Sequence, residues 1–256
     1  MRYPNLYSFF DRKIHYYKFK YAANKADLVI AISEQTKKDI ITYLNINPDK
    51  IKVIYQGCAP VFKEEIPSEF IEFTRKKYNL PLNFVLNVGT IEKRKNVLSI
   101  IKAIKEIDTK LVVIGKKTAY FTEINTYILE NNLQNKVIFL ENVELKELAA
   151  IYKIATVFIY PSVFEGFGIP IIEALYSKTP VISSKGGCFL EAGGENSIYI
   201  NALNPEELRS ELINLLENSE KREAMKNGGL QFVQKFNDEN VAKNWIETYN
   251  DVLRLS

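Results

Sequence analysis

The sequence predicts an α/β protein whose main part is one Rossmann-like, doubly wound parallel sheet. From residue 83 onward, short apolar runs rich in β-branched and aromatic residues alternate with longer amphipathic stretches, an alternation that is typical of βα units. The runs are apolar almost throughout, which indicates parallel strands covered by helices on both faces. Two of the runs end in glycine-containing loops that lead into helices, and open α/β sheets bind ligands at such loops.

The chain before this sheet is predicted to hold shorter elements of both kinds. In chain order, these are a helix at 11–25, a strand at 27–32, a helix at 34–44, a strand at 51–55 and a charged helix at 68–78. Ser33 is a suitable N-cap for the second helix. Strand periodicity stops after this part and resumes at residue 83, so we place a linker at 61–82.

Residues 83–236 form the predicted sheet domain. Its strands are expected at 84–88, 111–114, 137–140, 157–160, 181–183 and 198–200. Its helices are expected at 96–107, 120–131, 145–152, 170–177, 205–217 and 221–236. Right-handed crossovers should connect the strands. We expect Gly228 and Gly229 to bend or break the last of these helices.

Residues 237–256 are predicted to be largely helical. Within the helix at 240–253, Val241, Trp245, Tyr249 and Val252 share one stripe, which predicts a packed face.

The helix at 11–25 is basic and rich in tyrosine. It is open to two interpretations: attraction to anionic lipid, or a helix that packs by its tyrosine face and keeps its lysines in water. We prefer the second. His15 lies here and is the only histidine of the chain, so a metal site or catalytic triad that needs another histidine is not predicted.

The bulk composition is that of an ordinary soluble protein. The chain has 256 residues, of which 46 % are hydrophobic and 25 % charged, and its net charge of +3 is too small to argue for nucleic acid binding. Its two cysteines have no metal-ligand spacing. No apolar run has the length of a membrane span or the form of a signal peptide. We expect a cytoplasmic protein, with peripheral membrane contact left open.

A pair of carboxylates dominates the stretch 159–173, which reads Ile-Tyr-Pro-Ser-Val-Phe-Glu-Gly-Phe-Gly-Ile-Pro-Ile-Ile-Glu. Glu165 falls in a loop after a strand. If the next helix opens at Ile169 or Pro170, Glu173 falls in its first turn, and proline is well tolerated there. Both carboxylates can then face one crevice. Taken singly, each has a plainer interpretation, as a solvated loop residue or as a charge that complements the helix dipole.

A second candidate loop, at 86–97, reads Leu-Asn-Val-Gly-Thr-Ile-Glu-Lys-Arg-Lys-Asn-Val. Lys93, Arg94 and Lys95 lie beside a predicted helix N-terminus, an arrangement that fits a diphosphate. Gly89 allows close backbone approach. A solvated basic loop is equally consistent with this segment alone. Neither a Walker P-loop nor a dinucleotide-binding fingerprint occurs in the chain.

The string Glu-Gly-Phe-Gly-Ile-Pro followed by Ile-Glu-Ala resembles the E-x7-E signature of retaining glycosyltransferases of glycosyltransferase family 4, also called glycosyl transferases group 1. The loop at 86–97 and the segments at 26–37 and 50–57 resemble the same family. The resemblance implies a GT-B fold with one complete Rossmann-like domain at 83–236 and the tail end of a second, acceptor-binding domain at 1–60. It also implies that the last helix, at 237–256, crosses back to that second domain.

The resemblance assigns roles to residues by position. Arg94 and Lys95 would neutralise the leaving diphosphate, Glu165 would meet hydroxyls of the donor sugar, and Glu173 would bind the ribose. We count Glu165, Arg94 and Lys95 as the catalytic candidates. The donor-binding candidates are Gly89, Thr90, Arg94, Lys95, Asn142, Val143, Glu165, Gly166, Phe167, Gly168, Ile169 and Glu173. Asn142 and Val143 would lie near the base. Departures from the family pattern are Lys93, Thr90, Glu141 and Lys178. Lys178 would need a left-handed backbone.

The function implied is transfer of a hexose, with retention, from a nucleoside-diphosphate sugar to a glycan or lipid-linked acceptor, in polysaccharide or lipopolysaccharide synthesis. No metal or other cofactor and no nucleic acid partner is implied. The family's His-Asp segment has no counterpart in the chain, so a non-catalytic, nucleotide-sugar-binding subunit that needs a partner with the acceptor half is an alternative. A sugar-nucleotide epimerase is a third. A site of action at the inner face of the membrane fits the implied pathway.

Overall fold

The computed structural model describes residues 8–255. The chain divides into two compact units, one from residues 1–57 and 236–256 and one from residues 58–235. Within the described residues, none of the helices is long and apolar enough to cross a membrane.

The first unit is a small α/β layer. Its elements are α1 (Phe9–Lys25), β1 (Val29–Ala31), α2 (Glu34–Leu44), β2 (Ile51–Val53) and, at the end of the chain, α11 (Asp238–Leu255). β1 and β2 pair in parallel. Ser33 caps α2 as predicted, because its side chain accepts a hydrogen bond from the amide of Thr36. Nζ of Lys52 lies 3.2 Å from Oδ2 of Asp251, which joins β2 to α11.

The orientation of α1 contradicts the packing we preferred. Phe10, Ile14, Tyr17 and Tyr21 recur at helical spacing on one face and are 74 %, 63 %, 66 % and 68 % exposed. The buried residue of α1 is Ala23, on the opposite face. The prediction that the tyrosine face is packed is therefore wrong: the helix turns a small residue inward, where close approach is possible, and its larger rings outward. We call the four exposed residues the outer stripe of α1.

The second unit contains the sheet. Its strands are β3 (Phe84–Val88), β4 (Lys110–Ile114), β5 (Val137–Leu140), β6 (Val157–Tyr160), β7 (Val181–Ser184) and β8 (Ile198–Ile200). They are all parallel and lie in the order β5-β4-β3-β6-β7-β8. Its helices are α3 (Ser68–Lys77), α4 (Val97–Ala103), α5 (Phe121–Glu130), α6 (Leu145–Ile154), α7 (Ile169–Tyr176), α8 (Phe189–Gly193), α9 (Pro205–Glu217) and α10 (Ser219–Val233). The predicted doubly wound parallel sheet is thus confirmed.

The apolar strand residues form the core of this unit. Val85, Leu111 and Val157 are fully buried on adjacent strands, and helix residues such as Ile100 and Leu212 pack with Val85 and Leu111 in one cluster. Burial of apolar area of this kind contributes roughly 25 cal/mol per Å². Since all six strands point the same way, their carboxyl ends share one edge. The chain order reverses between β3 and β6, so the switch point of the sheet lies there.

Helix α4 is shorter than predicted. It begins at Val97, because Asn96 is left-handed (φ 58°), and it ends at Ala103 rather than at residue 107. The ammonium of Lys136 donates to the carbonyls of Ile104, Lys105 and Ile107, at 3.3, 3.0 and 2.6 Å. These bonds give hydrogen-bond partners to carbonyls just beyond the end of α4.

The helix does not break at Gly228 and Gly229, since both glycines lie inside the continuous helix α10. They allow close packing instead. A Cβ at Gly228 would collide with the side chain of Asn196, and a Cβ at Gly229 would lie 2.7 Å from Cδ2 of Leu175 on α7. The two glycines therefore allow α10 to pack closely against its neighbours, and they do not interrupt the helix.

Candidate functional site

Two loops meet at the switch point of the sheet. One follows β3 and contains a single 3-10 turn, Lys93–Lys95. The other follows β6 and leads to α7. The amide of Val163 donates to the carbonyl of Arg94 at 2.8 Å, and Nη1 of Arg94 donates to the carbonyl of Phe164 at 3.2 Å. These bonds fix the two loops to each other.

Both loops contribute to one ionic cluster around Glu165. Nη1 of Arg94 lies 2.8 Å from Oε2 of Glu165, and Nζ of Lys95 lies 2.7 Å from Oε1. The hydroxyl of Tyr160, at the end of β6, donates to Oε1 at 3.0 Å, and Lys95 in turn donates to that hydroxyl. The side chains of Glu165 and Lys95 are only 12 % and 11 % exposed. The sequence-predicted residues Arg94, Lys95 and Glu165 are thus brought together.

Burial and charge act in opposition within this cluster. Burial raises the pKa of Glu165, but the nearby charges of Lys95 and Arg94 and their hydrogen bonds outweigh it, so the pKa lies below its ordinary value. Burial lowers the pKa of Lys95, and Glu165 offsets only part of that effect. Glu165 is therefore a carboxylate at neutral pH.

Asn96 positions the cationic loop, and our reading of the sequence gave it no role. Its Nδ2 donates to the carbonyls of Pro161 and Ala202, at 3.3 and 2.5 Å. Asparagine tolerates the left-handed backbone that this position has. An asparagine directly before a helix is the sequence signal that could have revealed it. Lys93, by contrast, is exposed, and only its two neighbours join the cluster.

Helix α7 begins where the glycine loop ends. Gly168 is its N-cap with φ 116°, a left-handed value that favours glycine. Pro170 lies in the first turn as predicted. Because the helix begins at Ile169, Glu173 is its fifth residue and falls in the second turn. The prediction that Glu173 lies in the first turn is therefore wrong.

Glu173 has a different environment from Glu165. Its Oε2 accepts a hydrogen bond from the hydroxyl of Tyr152, on α6, at 3.0 Å. Burial raises the pKa of Glu173 to about 7, and the Tyr152 hydrogen bond opposes the rise. The two carboxylates of the motif therefore differ in protonation near neutral pH.

An aromatic row connects the two carboxylate environments. The ring centroids of Tyr152 and Phe158 are 5.2 Å apart, and those of Phe158 and Tyr160 are 5.8 Å apart. One end of the row donates to Glu173 and the other to Glu165. Neither tyrosine is conspicuous in the sequence, because each looks like an ordinary core residue in its own segment.

The remaining predicted residues lie along the same edge of the sheet. Gly89 follows β3, and a Cβ there would lie 3.5 Å from Cε of Lys95. Thr90 is partly buried beside it. Gly166, Phe167, Gly168 and Ile169 form the end of the glycine loop and the start of α7, and Phe167 is 2 % exposed.

Asn142 and Val143 follow β5, which β4 separates from β3. Asn142 is left-handed with φ 56°. Glu141, one of the departures from the family pattern, accepts a hydrogen bond from the amide of Lys117 at 2.9 Å. Lys178 is left-handed as predicted, with φ 55°. Within residues 8–255 there is no group of three or more His, Cys, Asp or Glu side chains that could hold a metal ion.

A parallel sheet with paired cations and a carboxylate at its switch point is typical of α/β proteins that bind small anionic ligands at the carboxyl edge of the sheet. Comparison with known proteins narrows this class. The chain belongs to the glycosyl transferases group 1 family, which its residues 70–232 match. Residues 2–60 match glycosyltransferase family 4.

The relatives include enzymes named for O-antigen synthesis. The chain is 32 % identical over 201 residues to the O-antigen chain mannosyltransferase RfbU of Salmonella typhimurium, covering 78 % of this chain and 53 % of the relative. It is 24 % identical over 232 residues to O-antigen chain mannosyltransferase B of Escherichia coli, covering 88 % and 61 %. The chain thus spans about half to two thirds of the length of these relatives.

Solved structures share the fold. The Anabaena protein Alr3699/HepE, crystallised with UDP-glucose, superposes with a TM-score of 0.86 at 21 % identity, covering 97 % of this chain and 69 % of that one. A glycosyltransferase from Rickettsia africae gives a TM-score of 0.84 at 22 % identity, covering 93 % and 68 %. The predicted GT-B-type fold is confirmed over the matched residues.

Proposed function

We propose that this chain binds a nucleoside-diphosphate sugar and serves in transfer of its hexose, with retention, to a glycan or lipid-linked acceptor. The observation that carries the proposal is the convergence of Arg94 and Lys95 on one carboxylate at the switch point of the sheet. Two cations held by a buried frame suit a diphosphate, since charge-assisted bonds to phosphate oxygens are strong where water is excluded. The process served is polysaccharide or lipopolysaccharide synthesis, which the O-antigen relatives support.

The roles proposed for the site residues are those that the family resemblance assigns. Arg94 and Lys95 take the diphosphate and stabilise the charge that develops on it as the glycosidic bond breaks, which needs no metal. Glu165, displaced from the cations, accepts hydrogen bonds from hydroxyls of the sugar. Glu173 accepts from the ribose, and Asn142 and Val143 lie at the base. The amides of Phe167, Gly168 and Ile169, at the start of α7, face phosphate or sugar oxygens. Gly166, Gly89 and Thr90 belong to the same donor site.

A calorimetric titration tests the donor site. The protein is titrated with UDP, GDP and ADP, and then with UDP-glucose and GDP-mannose. These two sugar nucleotides are chosen because one relative is an O-antigen mannosyltransferase and one structural neighbour was crystallised with UDP-glucose. We expect one base to be preferred and Glu173→Ala to weaken its binding. The proposal would be contradicted if no nucleotide bound, or if Glu173→Ala bound the preferred nucleotide as tightly as the unaltered protein does.

We also propose that the outer stripe of α1 rests on an anionic membrane, at the inner face where lipid-linked acceptors would be met. Exposed cations border the stripe, namely Lys13, Lys18 and Lys25. An apolar stripe with a basic border fits the interface of an anionic bilayer. We expect sedimentation with phosphatidylglycerol vesicles but not with phosphatidylcholine vesicles, and its loss in Ile14→Ser. Leu129→Ser, at an exposed leucine of α5, is the control. Failure to sediment with anionic vesicles would mean that protein covers the stripe.

A second candidate function is that of a non-catalytic, nucleotide-sugar-binding subunit. The sequence leaves this alternative open beside sugar transfer. The two functions are distinguished by whether the purified chain transfers the sugar. With the preferred sugar nucleotide and a lipid-linked acceptor, sugar transfer by the purified chain supports the transferase, whereas tight binding without transfer supports the subunit.

A further inference from the structure

We propose that Tyr152 is a positioning residue of the donor site, whose hydroxyl holds one carboxylate oxygen of Glu173 and leaves the other to receive the ligand. This inference rests on the proposed function. It concerns a residue of α6 that lies outside the glycine motif, and it gives the motif carboxylate a fixed direction.

The ring of Tyr152 is held on several sides. It is fully buried, its centroid lies 5.6 Å from that of Phe62 in an edge-to-face arrangement, and Phe158 packs at 5.2 Å. Its carbonyl accepts a hydrogen bond from Oγ1 of Thr179 at 2.6 Å. Because ring and backbone are both fixed, the position of the hydroxyl is fixed too.

That hydroxyl determines how Glu173 is presented. It donates to Oε2 at 3.0 Å, so the carboxyl plane is oriented and Oε1 remains as an acceptor. A carboxylate can accept hydrogen bonds at both oxygens. The two oxygens therefore have separate tasks, one structural and one for a ligand hydroxyl.

Because Glu173 titrates near neutral pH, its hydrogen bond with Tyr152 can be tested through the pH dependence of ligand affinity. α6, α8, α10, β6 and β7 pack against α7. Of the titratable groups on these elements, Tyr152 on α6 hydrogen-bonds Glu173 directly. Cys58 and Tyr160 act on Tyr152 and raise its pKa, and Nζ of Lys63 lies 5.4 Å from the ring centroid of Tyr176 on α7. Burial places the pKa of Glu173 at about 7, against the effect of Tyr152. Ligand hydroxyls donate to the ionised form, so affinity should rise with pH.

The test compares Tyr152→Phe with the unaltered protein. Phenylalanine keeps the ring and its packing and removes only the hydroxyl. The probes are UDP-glucose and GDP-mannose, whose diphosphate esters stay fully ionised between about pH 6 and 9. In the unaltered protein we expect roughly tenfold tighter binding at pH 8 than at pH 6. In Tyr152→Phe we expect about tenfold weaker binding at pH 7.5, because Glu173 is then less ionised at that pH and its carboxylate is no longer oriented for the ligand.

The midpoint of the pH profile gives the sharper readout. Removal of the donor should raise the pKa of Glu173, so the midpoint should move to higher pH in Tyr152→Phe. The same shift should appear in the carboxyl resonance of Glu173 followed by NMR in protein alone. A purely structural role of the hydroxyl would change stability and leave this pKa unmoved.

Two further variants complete the design. Glu173→Gln should abolish the pH dependence, and adding Tyr152→Phe to it should cost nothing more, because coupled residues are not additive. Tyr199→Phe is the matched control: Tyr199 is also a largely enclosed tyrosine, and its hydroxyl donates to the carbonyl of Gly194 at 2.7 Å. It should leave affinity and midpoint unchanged.

Several outcomes would overturn the inference. If the unaltered protein binds sugar nucleotides and Tyr152→Phe shifts neither the affinity nor the pKa of Glu173, positioning by Tyr152 is refuted while the proposed function stands. If the unaltered protein binds no sugar nucleotide, the proposed function fails and this inference falls with it. A Tyr152→Phe protein that does not fold would assign the hydroxyl to stability and refute positioning.

Discussion

Nζ of Lys95 and Oε1 of Glu165 lie 2.7 Å apart, across two loops that follow neighbouring strands. Arg94 holds the other oxygen of the same carboxylate at 2.8 Å. Glu165 therefore occupies the place between two cations that a diphosphate takes under the proposed function. Ligand binding and the internal ion pairs must compete, and the strength of the pairs sets the cost of ligand entry.

Replacing Glu165 should separate binding from transfer. In Glu165→Gln the two cations lose their internal partner, so we expect UDP or GDP to bind several-fold more tightly while sugar transfer falls at least a hundredfold. Calorimetry and a transfer assay measure the two quantities. Weaker binding of the free nucleotide in this variant would mean that Glu165 does not compete with the diphosphate.

The cations should act on the diphosphate rather than on the nucleoside. We expect Arg94→Ala and Lys95→Ala each to weaken nucleoside-diphosphate binding by about 1.5–3 kcal/mol, the usual worth of a hydrogen bond to a charged group. Affinity for the bare nucleoside should hardly change. The exposed neighbour gives the control, because Lys93→Ala removes a charge from the same turn. An equal loss in Lys93→Ala would point to a diffuse charge effect.

Glu173 should make stability depend on pH. Its pKa of about 7 in the folded protein exceeds the value of about 4.3 expected in the unfolded chain, so the folded state binds more protons between these values. The free energy of unfolding should then fall as pH rises from about 4 to 7, by up to about 3 kcal/mol in total.

Urea unfolding at pH 5 and pH 8 measures this dependence. Glu173→Gln, which cannot ionise, should remove most of the difference, whereas Glu130→Gln on the exposed face of α5 should not. A difference that is identical in the unaltered protein and in Glu173→Gln would show that the glutamate does not titrate as inferred.

The sequence was a good guide wherever local pattern decides structure. The strands β3, β5, β6 and β8 begin and end at the predicted residues, because apolar runs bounded by turn residues suit buried parallel strands. That Arg94, Lys95 and Glu165 belong to one site followed from the family resemblance together with the charge of the loop, whereas their pairing with one another did not.

Contacts between residues distant in the sequence could not be predicted. Tyr152, Tyr160 and Asn96 gain their roles from partners in other segments, and no spacing rule connects them. The face by which α1 packs was misjudged for a related reason. Both of its faces carry aromatic and basic residues, so the pattern did not distinguish the inner face from the outer one.

Asn96 offers a test of the loop frame. Asn96→Ala should lose two hydrogen bonds and strain a left-handed backbone, with an expected cost of about 2–4 kcal/mol in unfolding free energy. Asn96→Gly relieves the strain and still loses the bonds, so it should cost less. Both should weaken nucleotide binding, since the cationic loop loses its anchors at Pro161 and Ala202. Equal unfolding free energies in the two variants would show that the left-handed backbone costs nothing there.

The adjacent glycines of α10, Gly228 and Gly229, should respond differently to substitution by alanine. A Cβ at Gly229 would press on Leu175, which is 2 % exposed on α7, so Gly229→Ala should destabilise the protein by about 1–3 kcal/mol, as overpacking does. A Cβ at Gly228 would meet the side chain of Asn196, which is exposed and can turn away. Gly228→Ala should therefore be neutral or stabilising by up to about 1 kcal/mol, since alanine favours helix. Urea unfolding of both variants decides the point. Equal destabilisation would mean that α10 is disturbed as a whole, whereas the expected order would show that its contact with α7 is tight at one position only.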